Sequence, residues 1–549
     1  MHKGIIIILL LTSFTALSGQ DKLQWSGSVD MNVNYFIEDT IIGATDIPQY
    51  EEDHLGGEWW VNFNVAYKGY SLNLRGDIFQ NSNLLNPTGS YTAAGLGRFR
   101  LAKSYKNIDL QLGYIYDQIG SGIIFRSYEE RPQLIDNALI GGAVDVGLTD
   151  YLTVKGIYGY QKEQFDINRN VIRGVSLEGF WELGKEDNPI SIVPGIGYIN
   201  RQLTDENMVG IVDVLRTYIE EDRTLPRFNV YLGTLYNTLT YKGISWYTEW
   251  AIKSRELFFD PQAIRTEITG REVFGRYVKR LGSVFYSSLG LSAGNLGITI
   301  EGKRTSNFNF RTNPLYRQNE GLVSFIPPMA QELTYRLLSR YSPATQDLSE
   351  WAFQADFKLK IDKRWSVDFN ISDIQTLDQT PLYTELYMSV LYKIPRKWQL
   401  RTGLQFIDYN QEVYQLKPLV PRVRAVTTFA DFLYRFNSKQ NIKMEVQYMN
   451  TEQDFGSWLF LSSELAVSRR FSIEASGMYN TDPGKESPVD SDGNKLKILY
   501  PTFGLTYNRG SMRYNVRYVK QVEGIVCTGG ICRLEPAFSG IRLSSNIQL

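Results

Sequence analysis

The chain has 549 residues, with 58 Lys and Arg against 59 Asp and Glu and a formal net charge of −1. A balance so near zero argues against a nucleic-acid partner, which requires a strongly basic face. Two Cys and two His leave little basis for a zinc site, and no cofactor is assigned, whereas 35 Tyr, 28 Phe and 10 Trp form an aromatic load that any fold must place.

The chain opens with "MHKGIIIILLLTSFTALSGQDKL". A charged start leads into an apolar run from Gly4 to Leu17 and then small residues, the layout of a secretory signal peptide over 1–20. The run is too short for a membrane anchor, and no later stretch reaches 18 uncharged apolar residues. The rest, 21–549, reads as one domain.

A first strand is predicted near 22–37, followed by a long loop, 38–56, that holds His54. Aromatic residues then recur at segment ends (Trp59, Trp60, Tyr67, Tyr70, Trp246, Trp250, Trp365, Trp398), as in the interfacial girdles of membrane barrels. The segment 117–142 breaks the strand pattern. Gly120 and Gly122 allow sharp turns, and Arg126, Glu129, Glu130 and Arg131 crowd together before Pro132. Folded inward, these charges would either set a transverse field across a lumen or brace its wall. A further loop is expected at 255–275. The longest one, 307–346, carries Met329, Leu333, Leu337 and Leu338 at helical spacing after Pro327 and Pro328. It predicts a helical lid over a barrel mouth, with Arg336 and Arg340 on one face, or alternatively a binding surface.

The strand signal is plainest further on. "WAFQADFKLKI" (351–361) puts Trp351, Phe353, Phe357 and Leu359 on one face and Gln354, Asp356, Lys358 and Lys360 on the other. The stretches 364–371, 441–449 and 511–519 alternate in the same way. "DSDGNK" has Asp490, Asp492 and Asn494 at alternate positions but lacks the closing acid of a calcium loop, so no metal is assigned. Cys527 and Cys532 flank Thr528, Gly529 and Gly530 in the loop 523–536. In an exported loop the two sulfurs are expected to form a disulfide, with free thiols as the alternative. The final segment, 537–549, again alternates, with Arg542, Ser544, Asn546 and Gln548 on its polar face.

Alternating runs of about 9–13 residues suit strands that cross a bilayer at a tilt rather than those of a soluble sandwich. Tight turns such as Lys68-Gly69, Lys106-Asn107 and Lys242-Gly243 alternate with long loops. The fold class predicted is all-β: a large single-chain antiparallel transmembrane β-barrel of about 24 strands (about 20–26), with short periplasmic turns and long extracellular loops. Both termini would face the periplasm. Its partners would be outer-membrane lipid and other outer-membrane proteins.

The stretches "QIGSGIIFRSYEERPQLIDNALIGG", "NEGLVSFIPPMAQELTYRLL" and "CTGGICRLEPAFSGIRLSSNIQL" resemble an uncharacterised family of exported Bacteroidota proteins, a domain of unknown function. The resemblance spans nearly the whole mature chain. It implies a Gram-negative outer-membrane location and supplies no activity. Function is therefore read as a pore, transport or binding module for unidentified solutes. The alternatives are a closed barrel that serves as subunit or docking platform of an assembly, and a hydrolase pairing His54 with a serine. No catalytic residue is assigned, and the chain is not expected to be an enzyme.

Overall fold

The computed structural model describes residues 22–131, 135–185, 188–317, 320–344, 349–528 and 531–549, with backbone only at 525–528 and 531–533. The signal peptide expected at 1–20 lies outside these residues.

One antiparallel sheet of 25 segments dominates. Asp166–Gly179 and Trp181–Lys185 are two pieces of one strand, since both pair with Asn188–Gln202, so the sheet has 24 strands. The first strand, Gln24–Phe36, pairs on one side with Leu55–Tyr67 and on the other with the last strand, Phe538–Gln548. That second pairing closes the sheet and leaves no edge. No described helix is long and apolar enough to cross a membrane.

The tight turns gather at one end, together with both ends of the ladder. Lys68 and Gly69 both take positive φ (47° and 75°), the backbone that a two-residue hairpin needs to match strand twist. Lys106 and Lys242 do the same, at 55° and 53°. The expected turn near 184–188 includes 186–187, which are not described, but Lys185 and Asn188 pair across it.

Strand alternation sorts the side chains inside out relative to a soluble protein. Along Glu350–Lys360, Trp351, Phe353 and Leu359 are exposed outside, while Glu350 and Gln354 are buried within. Exposed Leu, Ile, Val and Phe continue around the wall, for example Leu112, Ile196, Leu235, Phe285, Leu404 and Phe503. In water this belt would far exceed the few hundred Å² of apolar patch a monomer tolerates. Lipid is the solvent that removes the penalty, so the barrel is built to stand in a bilayer.

Two expectations change. Trp59 and Trp60 cannot both face lipid, because neighbours in a strand point to opposite faces. Trp60 turns inward, edge-on to Phe79 at 6.2 Å and under the Arg131 guanidinium at 5.0 Å. The stretch 255–275, expected as a loop, is mostly strand: Ile244–Thr266 and Glu272–Ala293 run on together as a long hairpin. Register shifts between Lys253 and Glu256 and between Asp260 and Ile264 accommodate Pro261 within the strand.

Candidate functional site: the lumen

Inward-facing residues change character along the strands. Toward the short-turn end they meet water: Asp109, Ser245, Lys358 and Lys360 are exposed. Toward the long-loop end they are covered, as at Glu249, Glu385, Gln405 and Gln447. Two segments that fold back into the barrel do the covering, the described residues of 116–138 and those of 307–349.

The first is anchored by a turn. Gly120 sits at φ 58°, and a Cβ there would lie 2.9 Å from Oε1 of Glu249. Only glycine allows both the left-handed backbone and this approach. The Glu249 carboxylate accepts from Ser121 N (2.9 Å), Ser121 Oγ (2.6 Å), Thr234 Oγ1 (2.8 Å) and Tyr247 Oη (2.6 Å). On either side of the turn Ile119, Ile123, Ile124 and Phe125 are buried in a core inside the barrel.

The four charges singled out in this segment do not act as one cluster. Glu129 pairs with Arg75 Nη1 (2.5 Å), with Arg98, and with Arg131 Nε (3.1 Å), while Arg131 Nη1 also reaches Asp30 at 3.0 Å. Arg75 itself holds Asp77 (2.6 Å) and Asp136 (3.2 Å), and Lys162 binds Asp136 at 2.5 Å. Burial pushes the Glu129 carboxyl up, but the guanidiniums of Arg75, Arg98 and Arg131 outweigh it and hold its pKa below the usual value. Arg126 instead stacks on Phe325 (4.1 Å) and Tyr128 (4.6 Å), and Glu130 is exposed.

The second segment lies inside rather than over the barrel, and its expected helix does not form. The Leu337 N–H donates to Gln447 Oε1 (2.7 Å), Gln405 Nε2 donates to Leu338 O (3.1 Å), and Gln331 N donates to Glu385 Oε2 (3.3 Å). These partners lie a few residues below the rim, roughly 10–15 Å along the strand. The wall's side chains thus satisfy backbone groups that a helix would have satisfied within itself. Leu337 joins the main core, whereas Leu338 packs with Tyr387 and Phe429, so adjacent residues bury in different places and no single helical face exists. Met329 is buried in the main core and Leu333 packs against the Leu338 cluster. The two segments meet: Arg126 N donates to Val323 O (2.9 Å) and Phe325 N to Gly122 O (3.0 Å).

What they leave is an off-centre, polar space. A cavity of ≈ 540 Å³ is lined by Asn32, Asn34, Glu58, Arg336, Arg517 and Arg542, among others. It shares Arg336 and Glu535 with a second, of ≈ 280 Å³, that also holds Arg340. It shares Leu84 and Pro87 with a third, of ≈ 640 Å³, beside the Arg75 network. Leu534 faces all three. Arg340 pairs with Asp454 at 3.5 Å beside the rings of Phe455 and Trp458. Arg336 and Arg340 thus share a cavity although no helix aligns them.

The hairpin Gly524–Thr528/Ile531–Glu535 stands at the rim of this space, and its backbone register sets Cys527 opposite Cys532. The expected disulfide depends on side chains outside the described ones. His54 is exposed, 6.2 Å from the ring of Tyr35, and its imidazole makes no hydrogen bond among the described residues. In the 490–494 loop the Asp490 carboxylate accepts from the N–H groups of Asp492 (2.9 Å) and Asn494 (2.8 Å). Sequence reading missed Arg75, Glu249, Arg517 and Arg542 as members of the lumen's polar clusters. Alternation marks such residues as inward-facing, but only the register says what they meet.

No curated protein matches the chain. Among solved structures, the P pilus usher (PapC) translocation pore is similar at 9% identity and TM-score 0.38, over 96% of this chain and 99% of that one. The siderophore receptor PirA from Acinetobacter baumannii aligns at 8% and 0.40, over 97% of this chain and 81% of that one. OccAB4 from the same organism aligns at 12% and 0.32, over 72% and 97%. Likeness this distant leaves function to be read from the chain's own residues. A family model matches residues 1–549, and the chain therefore belongs to the family of unknown function DUF6029.

Proposed function

We propose that the chain is an outer-membrane transport barrel of narrow bore, which passes or binds small polar solutes along the off-centre part of its lumen. The short turns and both termini face the periplasm in this reading. The observation that carries it is the contrast inside the barrel. Segments 116–138 and 307–349 fill much of the long-loop end with an apolar core, yet connected polar cavities persist beside Asn32, Arg336, Arg517 and Arg542. A barrel of about 24 strands has width for both a filling and a passage. The proposed Cys527–Cys532 disulfide would stiffen the hairpin that carries Leu534 over that passage. No catalytic role is assigned. Purified protein in planar bilayers is expected to give small ohmic steps; silence at every voltage would overturn the transport reading.

A second reading, a closed barrel used as a docking platform, draws on the long hairpin Ile244–Thr266/Glu272–Ala293. Near its tip Phe274 and Ile268 are 72% and 67% exposed, an apolar surface of the kind that partners cover. Isolation of the native protein from membranes tests it, and recovery of a lone monomer counts against it.

A further inference from the structure

The short-turn end of the barrel is unevenly charged. Among its described turns, Asp150-Tyr151 and Gly294-Asn295 carry no cation, and Lys106 and Lys242 stand singly over the rings of Tyr105 (5.3 Å) and Tyr241 (5.0 Å). Another side of the same rim repeats one order of residues: Lys363-Arg364-Trp365, Arg396-Lys397-Trp398 and Arg469-Arg470-Phe471. Each is two exposed cations followed by the ring that starts the next strand. Exposed Lys439 lies in the hairpin between the second and the third. Turn geometry does not ask for these cations. Arg396 even takes φ 65°, a left-handed position that suits Gly or Asn better.

One acid enters these turns, Asp362, and its carboxylate accepts from the backbone N–H groups of Arg364 (2.6 Å) and Trp365 (2.8 Å). Among the described residues no carboxylate lies within ion-pair distance of Arg396, Lys397, Lys439, Arg469 or Arg470. Hydrogen bonds tie the turns into one rim. Arg364 O accepts from Lys393 N (2.9 Å), Lys397 O from Arg435 N (2.8 Å) and Arg470 O from Asn508 N (2.7 Å), and Gln440 Nε2 donates to Val467 O (3.1 Å). Neighbouring strands lie about 4.8 Å apart, so successive turns stand about 10 Å apart along the rim. Beside the cations a chain of rings runs around the outer wall. Trp365 meets Tyr392 at 4.5 Å, Tyr392 meets Trp398 at 5.2 Å and Trp398 meets Phe432 at 5.9 Å; past the Lys439 turn Phe471 meets Tyr507 at 4.8 Å. Trp and Tyr settle where hydrocarbon gives way to headgroups. The rings set that level on this wall, and the cations that precede them stand among the headgroups.

We propose that the rim from Lys363 to Arg470 is a docking surface for anionic phospholipid, with lipid phosphates against the paired cations and acyl chains along the rings below. This surface is independent of the transport reading and takes from it only that the short turns face the periplasm, the side whose leaflet is phospholipid. Charge complementarity carries it: each cation held at a membrane surface adds to the attraction for anionic lipid, and neighbouring turns add together because they are within about one Debye length of each other. Turns this short project little surface, whereas a stable protein interface takes about 800 Å² from each partner.

The test is native mass spectrometry of the purified full chain in detergent, with phosphatidylglycerol, cardiolipin or phosphatidylcholine added in turn. Retention of the two anionic lipids over phosphatidylcholine is expected. Joint replacement by Arg396→Gln, Lys397→Gln, Arg469→Gln and Arg470→Gln should weaken it about ten-fold or more. Arg396→Lys with Arg469→Lys and Arg470→Lys, which keeps the charge, should preserve most of it. Lys106→Gln with Lys242→Gln, at the single-lysine turns, should change it by less than about two-fold. Stronger retention of cardiolipin than of phosphatidylglycerol would show two phosphates bridging neighbouring turns. Equal retention of all three lipids, or unchanged retention after the fourfold replacement, overturns the surface. Binding of polyglutamate in place of either anionic lipid assigns the rim to an acidic protein and overturns it too. If the fourfold variant does not fold, ionic strength replaces it: on the native chain, anionic-lipid retention that survives about 1 M salt undiminished overturns the surface. Conductance in planar bilayers decides transport and leaves this outcome untouched.

Discussion

Two walls of one barrel, made from the same alternating sequence pattern, have different interiors. Along Glu350–Lys360, Pro381–Ile394, Trp398–Tyr409 and Asn441–Asn450 the inward residues Glu350, Glu385, Gln405 and Gln447 are buried. The segment 307–349 takes up the hydrogen bonds of the last three. Along Met512–Gln521, Phe538–Gln548 and Gln24–Phe36, Arg517, Arg542 and Asn34 remain half-buried and Asn32 exposed. Strand chemistry does not distinguish the walls. What does is whether a long loop has enough apolar residues to leave water and fold back onto the wall. On the filled side polar groups hold the inward segment; on the wet side they pair with one another along the wall and border the cavity.

The largest effect should come from breaking the filled side. Lys303 Nζ meets Glu350 Oε1 at 2.8 Å with both side chains fully buried, and also donates to Pro327 O at 2.9 Å. Lys303→Met strands a carboxylate in the core, at a cost of about 3–5 kcal/mol. It should lower the unfolding midpoint of the purified barrel sharply, and pairing it with Glu350→Leu should restore much of the loss. Arg542→Met, on the wet side, should cost less than about 1 kcal/mol, since water can solvate the groups left behind. Equal losses at the two positions would erase the distinction between the walls.

Next in size is the anchor of the other inward segment. Glu249→Ala removes the acceptor of four hydrogen bonds, two of them from Ser121. A loss of about 2–4 kcal/mol is expected, concentrated in the inward turn. Hydrogen exchange at 116–138 should rise while the strand ladder stays protected, and bilayer steps should grow as the segment leaves the lumen. Exchange that rises evenly around the barrel would show that Glu249 holds the wall rather than the turn.

A milder perturbation reaches the same segment through pH. The folded pKa of Glu129 lies below its ordinary 4.5 because three guanidiniums surround it. A depressed acid stabilises the fold above its unfolded pKa, and that contribution disappears as pH falls through the lower folded value. Acidification below about 4.5 should therefore loosen 116–138, with Glu129→Gln flattening the response. A response unchanged in the variant would move the effect to another carboxylate.

Much of the fold was legible because a strand with one wet and one apolar face must alternate. The face assignments at Trp351, Phe353 and Leu359 follow from that alone, as does the hairpin at Lys68-Gly69. What failed was anything decided by a distant partner. Leu333, Leu337 and Leu338 have helical spacing, but the donors and acceptors that compete with a helix come from Gln405 and Gln447, on strands far along the chain. The strand through 255–275 depends on register shifts on either side of Glu256–Asp260 that the loop expectation did not include. In the site, Arg542 was legible as inward-facing, whereas its opposition to Arg517 depends on the register of two strands separated by the 523–536 loop. Gly120 was legible as a turn, but not as the point where the backbone meets Glu249.

The smallest effect on the barrel should come from the two cysteines, and it sharpens the comparison at the rim of the wet wall. The backbone register opposes Cys527 and Cys532 in a short antiparallel hairpin. Opposed residues in such a ladder have Cα atoms about 4.5–5.5 Å apart, within the range a disulfide spans. The hairpin forms a separate two-stranded sheet outside the closed ladder, so a bond across it constrains only a few residues. Cys527→Ser should shift the unfolding midpoint of the barrel by less than about 0.5 kcal/mol, as for a peripheral substitution. Its effect should appear instead where Leu534 and Glu535 border the cavities, as faster exchange of the hairpin and noisier bilayer steps. Mass spectrometry without reductant should find neither thiol alkylated in the native chain; modification of both would remove the bond and, with it, any reason for the hairpin to be stiffer than the other loops at that rim.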